Sequence, residues 1–222
     1  MLDFLFPKKC IFCAQSMPLE TELEICKACV QRIPFHTAKY LMESGRYSNL
    51  QGCDRVICAL KYVDPVKDAM MRFKFFQQPE YAKTFAALLC EKIRRIERTD
   101  LINCVAYVPL NKNREKERGY NQAKLIAEHT AKYFHVPLME SLLKRDDIAL
   151  RQSSLQKNER HVNIKNAFSI DPDQNGAIYC KTVLLIDDVA TTLSTLNTCA
   201  RVLKESGAGV VIGGVVASAL MK

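Results

Sequence analysis

Two carboxylates and four hydroxyls crowd into one short stretch near the C-terminal end: Asp187, Asp188, Thr191, Thr192, Ser194 and Thr195. Hydroxyls and backbone N–H groups at the start of a helix make an anion site, most naturally for a phosphate. The two acids would repel that phosphate. They suit instead the hydroxyls of an attached sugar, or a Mg2+ held by that sugar and a second phosphate group. Phosphate donors beside sugar-diol acceptors describe a site for a ribose 5-phosphate. The elements needed to present it are legible on either side. Val183, Leu184, Leu185 and Ile186 read as a strand buried on both faces, with Asp187 and Asp188 where the strand should end. Leu196 to Glu205 follows with helical spacing.

A second group of chemical residues lies near the N-terminus, spaced Cys10-x2-Cys13-x12-Cys26-x2-Cys29. Two CxxC knuckles about a dozen residues apart are a tetrahedral Zn2+ signal. Disulfides and a rubredoxin-like iron site are the competing readings. The segment is short of large apolar side chains and would need a metal to fold, so the zinc reads as structural. Lys8, Lys9, Lys27 and Arg32 around it are either solvated charge or contacts for nucleic acid or anionic lipid.

A third group is cationic. Cys104 to Leu110 reads as a short apolar strand ended by Pro109, and Lys112, Arg114, Lys116 and Arg118 follow at once. Gly119-Tyr120-Asn121-Gln122-Ala123 then leads into a helix of Leu125, Ile126, His129 and Tyr133. A strand, a basic loop and a helix in this order form another anion site at a strand's C-terminal edge.

Between these groups the chain alternates as an α/β protein should. Pro34 to Asn49 reads as a linker, and Arg55 to Tyr62 as a strand. Val66, Met70 and Phe73 share a helical face. The run Arg72-Phe73-Lys74-Phe75-Phe76 is read first as a helix end with core aromatics and surface cations, second as a base-stacking patch. Tyr81 to Arg98 is an amphipathic helix with Phe85, Leu88, Leu89 and Ile93 inward and Lys92, Arg94, Arg95 and Arg98 outward. The polar stretch from Asp146 to Arg160, about 15 residues, is long for a compact domain and is a candidate lid. Gly207 stops the last helix before a final buried strand from Val210 to Val216.

Composition bounds the rest. A hydrophobic content of 48% supports a real core, and 222 residues suit one ordinary domain with a small appendage. A net charge of +8 favours polyanionic partners without choosing among nucleic acid, phosphorylated metabolites and anionic membranes. No apolar run is long enough to span a bilayer. The N-terminus lacks the order of a signal peptide, so the chain reads as cytoplasmic. Cys53, Cys58, Cys90, Cys104, Cys180 and Cys199 read as buried and inert. Tyr120 either stacks a base or packs on the helix it precedes.

Val183 to Thr195 resembles the PRPP-binding signature of type I phosphoribosyltransferases: an apolar strand, Asp-Asp, then Thr-Thr-x-x-Thr. That family usually has Gly where this chain has Leu193. Leucine does not readily take a positive φ, and its side chain is expected to crowd the phosphate turn, which bears more on turnover than on binding. Val108-Pro109-Leu110 through Arg118-Gly119-Tyr120-Asn121-Gln122-Ala123 resembles a pattern of the ComF family, phosphoribosyltransferase-like proteins linked to competence. Leu143-Lys144-Arg145, Gln152, Ser153, Leu155, Arg160, Asn163 and Ala167-Phe168 extend that resemblance.

The resemblance implies a type I phosphoribosyltransferase-like parallel sheet flanked by helices over residues 50–222, preceded by a four-cysteine zinc finger within 1–40. It implies PRPP contacts from Ala190, Thr191, Thr192, Leu193, Ser194 and Thr195. The ribose diol falls to Asp187 and Asp188, also the candidate catalytic pair, and the pyrophosphate to Leu110, Asn111, Lys112 and Arg118. Mg2+ would accompany PRPP, and any chemistry would be displacement at the anomeric carbon. The implied setting is uptake of single-stranded DNA in natural transformation, with DNA and other uptake proteins as partners and peripheral contact at the inner membrane. Two other readings stay open: a metabolic enzyme transferring ribose 5-phosphate to a nucleobase, and a non-enzymatic module for single-stranded nucleic acid.

Overall fold

The computed structural model describes residues 7–18, 20–43, 52–146 and 167–220. Seven strands and six α-helices are assigned among them: α1 (Lys27–Val30), β1 (Met42–Glu43), β2 (Arg55–Lys61), α2 (Val66–Phe75), α3 (Tyr81–Ile96), β3 (Cys104–Tyr107), α4 (Lys112–Arg118), α5 (Gln122–Phe134), β4 (Leu143–Arg145), β5 (Phe168–Ile170), β6 (Thr182–Ala190), α6 (Ser194–Glu205) and β7 (Val210–Ser218). The main sheet has the order β1-β2-β7-β6-β3. β2, β7, β6 and β3 run parallel, and β1 joins antiparallel at the edge. β4 and β5 form a separate antiparallel pair.

Both faces of the sheet are covered, which is why its strands are apolar without interruption. Successive side chains go to opposite layers. Leu184 and Ile186 of β6 join Phe73 of α2, Phe85 and Leu89 of α3 and Ile126 of α5 on one face. Val183 and Leu185 join Leu196, Cys199 and Leu203 of α6, with Leu143 and Phe168, on the other. Gly213 of β7 lets α6 lie close, since a Cβ there would stand 2.7 Å from Leu196 Cδ2. α5 and α6 therefore lie on opposite faces of the neighbouring strands β3 and β6. A crevice opens between the C-terminal ends of two such strands.

Several expectations are corrected. The stretch from Pro34 is no linker as far as Glu43. Lys61 N donates to Pro34 O, His36 N to Ala59 O and Leu41 N to Val56 O, so this segment covers the edge of β2. An uncovered edge would leave a row of unpaired backbone groups. Residues 44–49 of the expected linker lie outside the described residues, as do Gln152, Ser153, Leu155, Arg160, Asn163 and nearly all of the candidate lid. Lys112 to Arg118 is a short helix, because Asn111 Oδ1 accepts from Asn113 N and Arg114 N and starts the turn, while Gly119 at φ 82° ends it. On α5 the buried positions are Gln122, Ala123, Ile126, Ala127, Thr130 and Ala131, whereas Tyr133 is exposed. Small side chains bring that face nearest the sheet. Lys92 does not point simply outward: its ammonium donates to His36 O and Ala38 O, each at 2.9 Å. Cys180 is exposed, while the other five cysteines outside the N-terminal four are buried. Tyr120 packs on Phe73, ring centroids 5.7 Å apart, and its hydroxyl donates to Phe73 O.

Candidate functional site

β3 pairs with β6 only as far as Tyr107 opposite Ile186, with Val108 N still reaching Ile186 O at 2.9 Å. β6 does not end at the acids as expected. It continues along β7 through Ala190 opposite Ser218. The aspartates thus sit within β6, just past the point where β3 leaves it. Asn121, buried between β3 and α5, holds that divergence. Its Nδ2 donates to Val108 O at 3.1 Å, and its Oδ1 caps α5 by accepting from Lys124 N at 3.3 Å.

A cavity of about 280 Å³ fills the divergence. Asp187, Asp188, Thr191 and Thr195 line it together with Leu110, Arg114, Arg118 and Gln122. Acidic and basic groups predicted from distant parts of the chain therefore share one space. Neighbouring strand residues alternate in direction, so the two acids meet different surroundings. Asp188 pairs with Lys74 of α2, Oδ2 to Nζ 2.9 Å, both side chains largely shielded. Burial and the neighbouring Asp188 push the Asp187 carboxyl up to about 7, against the pull of the Asp188 N–H and of Lys74. A carboxyl near 7 can take up or release a proton at neutral pH.

The turn before α6 departs from expectation in an informative way. Leu193 does take the left-handed conformation, at φ 57° and ψ 0°. Its side chain is 3% exposed and joins the apolar layer under α6. It is not among the residues lining the cavity, so it does not crowd the turn. Such a backbone costs a non-glycine residue about 1–2 kcal/mol, and burial of the side chain offsets that cost. Leu193 carries no oxygen to cap α6, which leaves the opening N–H groups as donors for an anion. Thr192 Oγ1 takes one of them, from Ser194, at 3.4 Å.

Of the other predicted residues, Ala190 is buried at the end of β6, Thr192 and Ser194 are exposed on the turn, Asn111 caps α4 and Lys112 opens it. None of these five lines the cavity. Residues that the reading of the sequence did not assign to the site do line it: Tyr62, Lys74, Asn121, Gln122 and Arg145. Gln122 is 1% exposed. Its Oε1 accepts from Arg118 Nη1 at 2.8 Å, and its Nε2 has no hydrogen-bond partner. Arg118 also lies over the exposed Phe75 ring, 5.0 Å from its centroid. Lys74 had a signal in hindsight: with Phe73 inward on α2, the next residue flanks the core rather than opposing it.

At the other end of the chain, the sulfurs of Cys10, Cys13, Cys26 and Cys29 all lie within 4.8 Å of one another. The Cys13–Cys26 separation is 3.7 Å. Thiolates at a tetrahedral zinc bond length are separated by about 3.8 Å. All ten cysteines are free, so the four do not form the disulfides weighed against a metal. Cys26 N–H points at Cys10 Sγ at 3.4 Å. Burial acts to raise the Cys10 pKa, but the N–H groups of Cys13, Cys26 and Phe12 outweigh it and bring it to about 7. The cluster can hold a metal ion such as zinc. It is docked on the main fold: Arg72 of α2 donates to Ile11 O and Phe12 O, and Phe12 meets Phe85 edge-on.

No family model matches the sequence. Competence protein F of Haemophilus influenzae is 30% identical over 220 residues, covering 93% of this chain and 95% of that protein. DNA utilization protein YhgH of Escherichia coli is 28% identical over 160 residues, 71% of this chain and 69% of its own length. Competence protein ComFC of Bacillus subtilis is 33% identical over 146 residues, 66% of this chain and 56% of its own length. With a mostly parallel sheet, a four-cysteine cluster near the N-terminus and a relative matched along nearly its whole length, this chain belongs to the ComF family.

Proposed function

We propose that this chain binds PRPP in the crevice between β3 and β6, and that it serves natural transformation. One observation carries the first part: the acids of β6, the threonines before and in α6, and the arginines of α4 line a single cavity. Thr191, Thr195 and the opening N–H groups of α6 would take the 5-phosphate. Asp187 and Asp188 would accept the ribose hydroxyls. Arg114, Arg118 and the unpartnered Gln122 Nε2 offer donors to the pyrophosphate. Mg2+ fits the hard oxygen donors of such a complex, and its role when bound would be to screen the diphosphate charge. Any displacement at the anomeric carbon would draw on this chain's cations to stabilise the leaving pyrophosphate.

The second part rests on the relatives' names, competence protein and DNA utilization protein. Direct contact with single-stranded DNA is supported by Phe75 and Phe76, 56% and 66% exposed at the end of α2, with Arg118 over the Phe75 ring. Exposed aromatics next to cations suit base stacking along a strand. The four-cysteine unit within 1–40 is then a zinc-stapled attachment to a ligand-binding domain over 50–222 whose sheet takes β1 as its edge strand, working on the cytoplasmic side with other uptake proteins.

Calorimetric titration of PRPP with Mg2+ into wild type and Asp188→Asn tests the site. Wild type is expected to bind and the variant to bind about tenfold or more weakly. Equal affinities, or binding by neither, would overturn the assignment.

A further inference from the structure

Lys74 stands out among the cavity's cations. Arg114 and Arg118 come from α4 and Arg145 from β4, whereas Lys74 comes from the last turn of α2 and rests on one of the acids assigned to the sugar. Its ammonium is 2.9 Å from Asp188 Oδ2, with the two side chains 17% and 14% exposed. A shielded pair is screened far less by solvent and salt than a surface one. The oxygen that a ribose hydroxyl needs is therefore already engaged by a strong competitor.

Resting on the phosphoribosyl reading above, we propose that Lys74 is a specificity-determining latch. It covers Asp188 as the structure shows it, and it leaves that oxygen for the anomeric diphosphate of an incoming ligand. The cavity's composition supports the exchange. Lys74 itself lines this space of about 280 Å³, into which an ammonium leaving Asp188 can move. The same cavity also offers donors to an acceptor-rich group, because Arg118 and the buried, unpartnered Nε2 of Gln122 line it together. A buried donor without a partner costs stability until an acceptor arrives.

A ligand with a diphosphate on its anomeric carbon gives the displaced lysine a new anionic partner. A ligand with a free anomeric hydroxyl does not, and must break the Lys74–Asp188 pair without compensation. Lys74 thus separates PRPP from ribose 5-phosphate, which offers the same phosphate and the same diol. Selectivity comes from the unequal cost to the two ligands, since a penalty that both bear equally cancels from the comparison.

The test compares PRPP and ribose 5-phosphate, each with Mg2+, by calorimetry on wild type, Lys74→Gln and Lys74→Arg, with folding verified by circular dichroism. In Lys74→Gln, PRPP is expected to weaken about tenfold or more while ribose 5-phosphate holds or tightens. The affinity ratio collapses accordingly. Lys74→Arg, which keeps a mobile cation, should retain most of the ratio. If both ligands weaken in Lys74→Gln by the same factor, or the ratio persists, the latch is overturned while PRPP binding stands. If wild type binds neither ligand, the phosphoribosyl reading falls and the latch falls with it.

Discussion

Arg72 donates from α2 to the carbonyl of Ile11, inside the first CxxC turn, and so ties the four-cysteine cluster to the helix that carries Lys74. Ile11 is fully buried and belongs to the same apolar layer as Phe73 and Phe85. The cluster is therefore part of the wall of the main fold.

Metal removal should consequently loosen more than the cysteine segment. Cys13→Ser is expected to lose a metal ion held by the four cysteines and to lower Tm by about 5–10 °C. Arg72→Met should keep the metal while losing about 1–3 kcal/mol, because two carbonyls lose a charged donor. Metal content by plasma mass spectrometry and thermal melts followed by circular dichroism separate the two. Retention of the metal in Cys13→Ser would count against a four-thiolate site.

Leu193 offers a sharper test of what the phosphate turn requires. Glycine in its place relieves the left-handed backbone, worth about 1–2 kcal/mol. It also deletes a buried side chain, which costs about 2–5 kcal/mol. Leu193→Gly should thus be less stable by about 1–3 kcal/mol in urea, yet bind PRPP within about threefold of wild type. A large gain in affinity would mean that the leucine obstructs the cradle after all.

The acidic pair sets a pH dependence. The folded-state pKa of Asp187 is raised to about 7, whereas an unfolded aspartate titrates near 3.9. Between those values the native state binds more protons than the unfolded chain, so stability falls as pH rises through that window and levels off above about 7. Asp187→Asn cannot ionise. Its stability relative to wild type should therefore climb by about 2 kcal/mol between pH 5 and pH 8, measured by urea denaturation at both. A constant difference would place the Asp187 pKa in the ordinary carboxylate range.

Local order was largely determined by the sequence itself. Uninterrupted apolar runs marked β6 and β7 as doubly covered strands, because their periodicity depends on neighbours in the chain. The cysteine spacing announced a tetrahedral cluster for the same reason: a CxxC holds its two thiols close whatever surrounds it. Asp-Asp followed by Thr-Thr-x-x-Thr named acceptors and donors close together in the chain, although the acids sit within β6 rather than at its end. Only the tertiary structure decided how those groups meet. It showed β3 parting from β6 at Ile186, Leu193 turned into the core, and Lys74 resting on Asp188. Each depends on segments far apart in sequence approaching through the packed layers. A lysine flanked by aromatics looks the same in the sequence whether it ends in solvent or on a shielded carboxylate, and only the approach of Lys74 in α2 to Asp188 in β6 distinguishes the two.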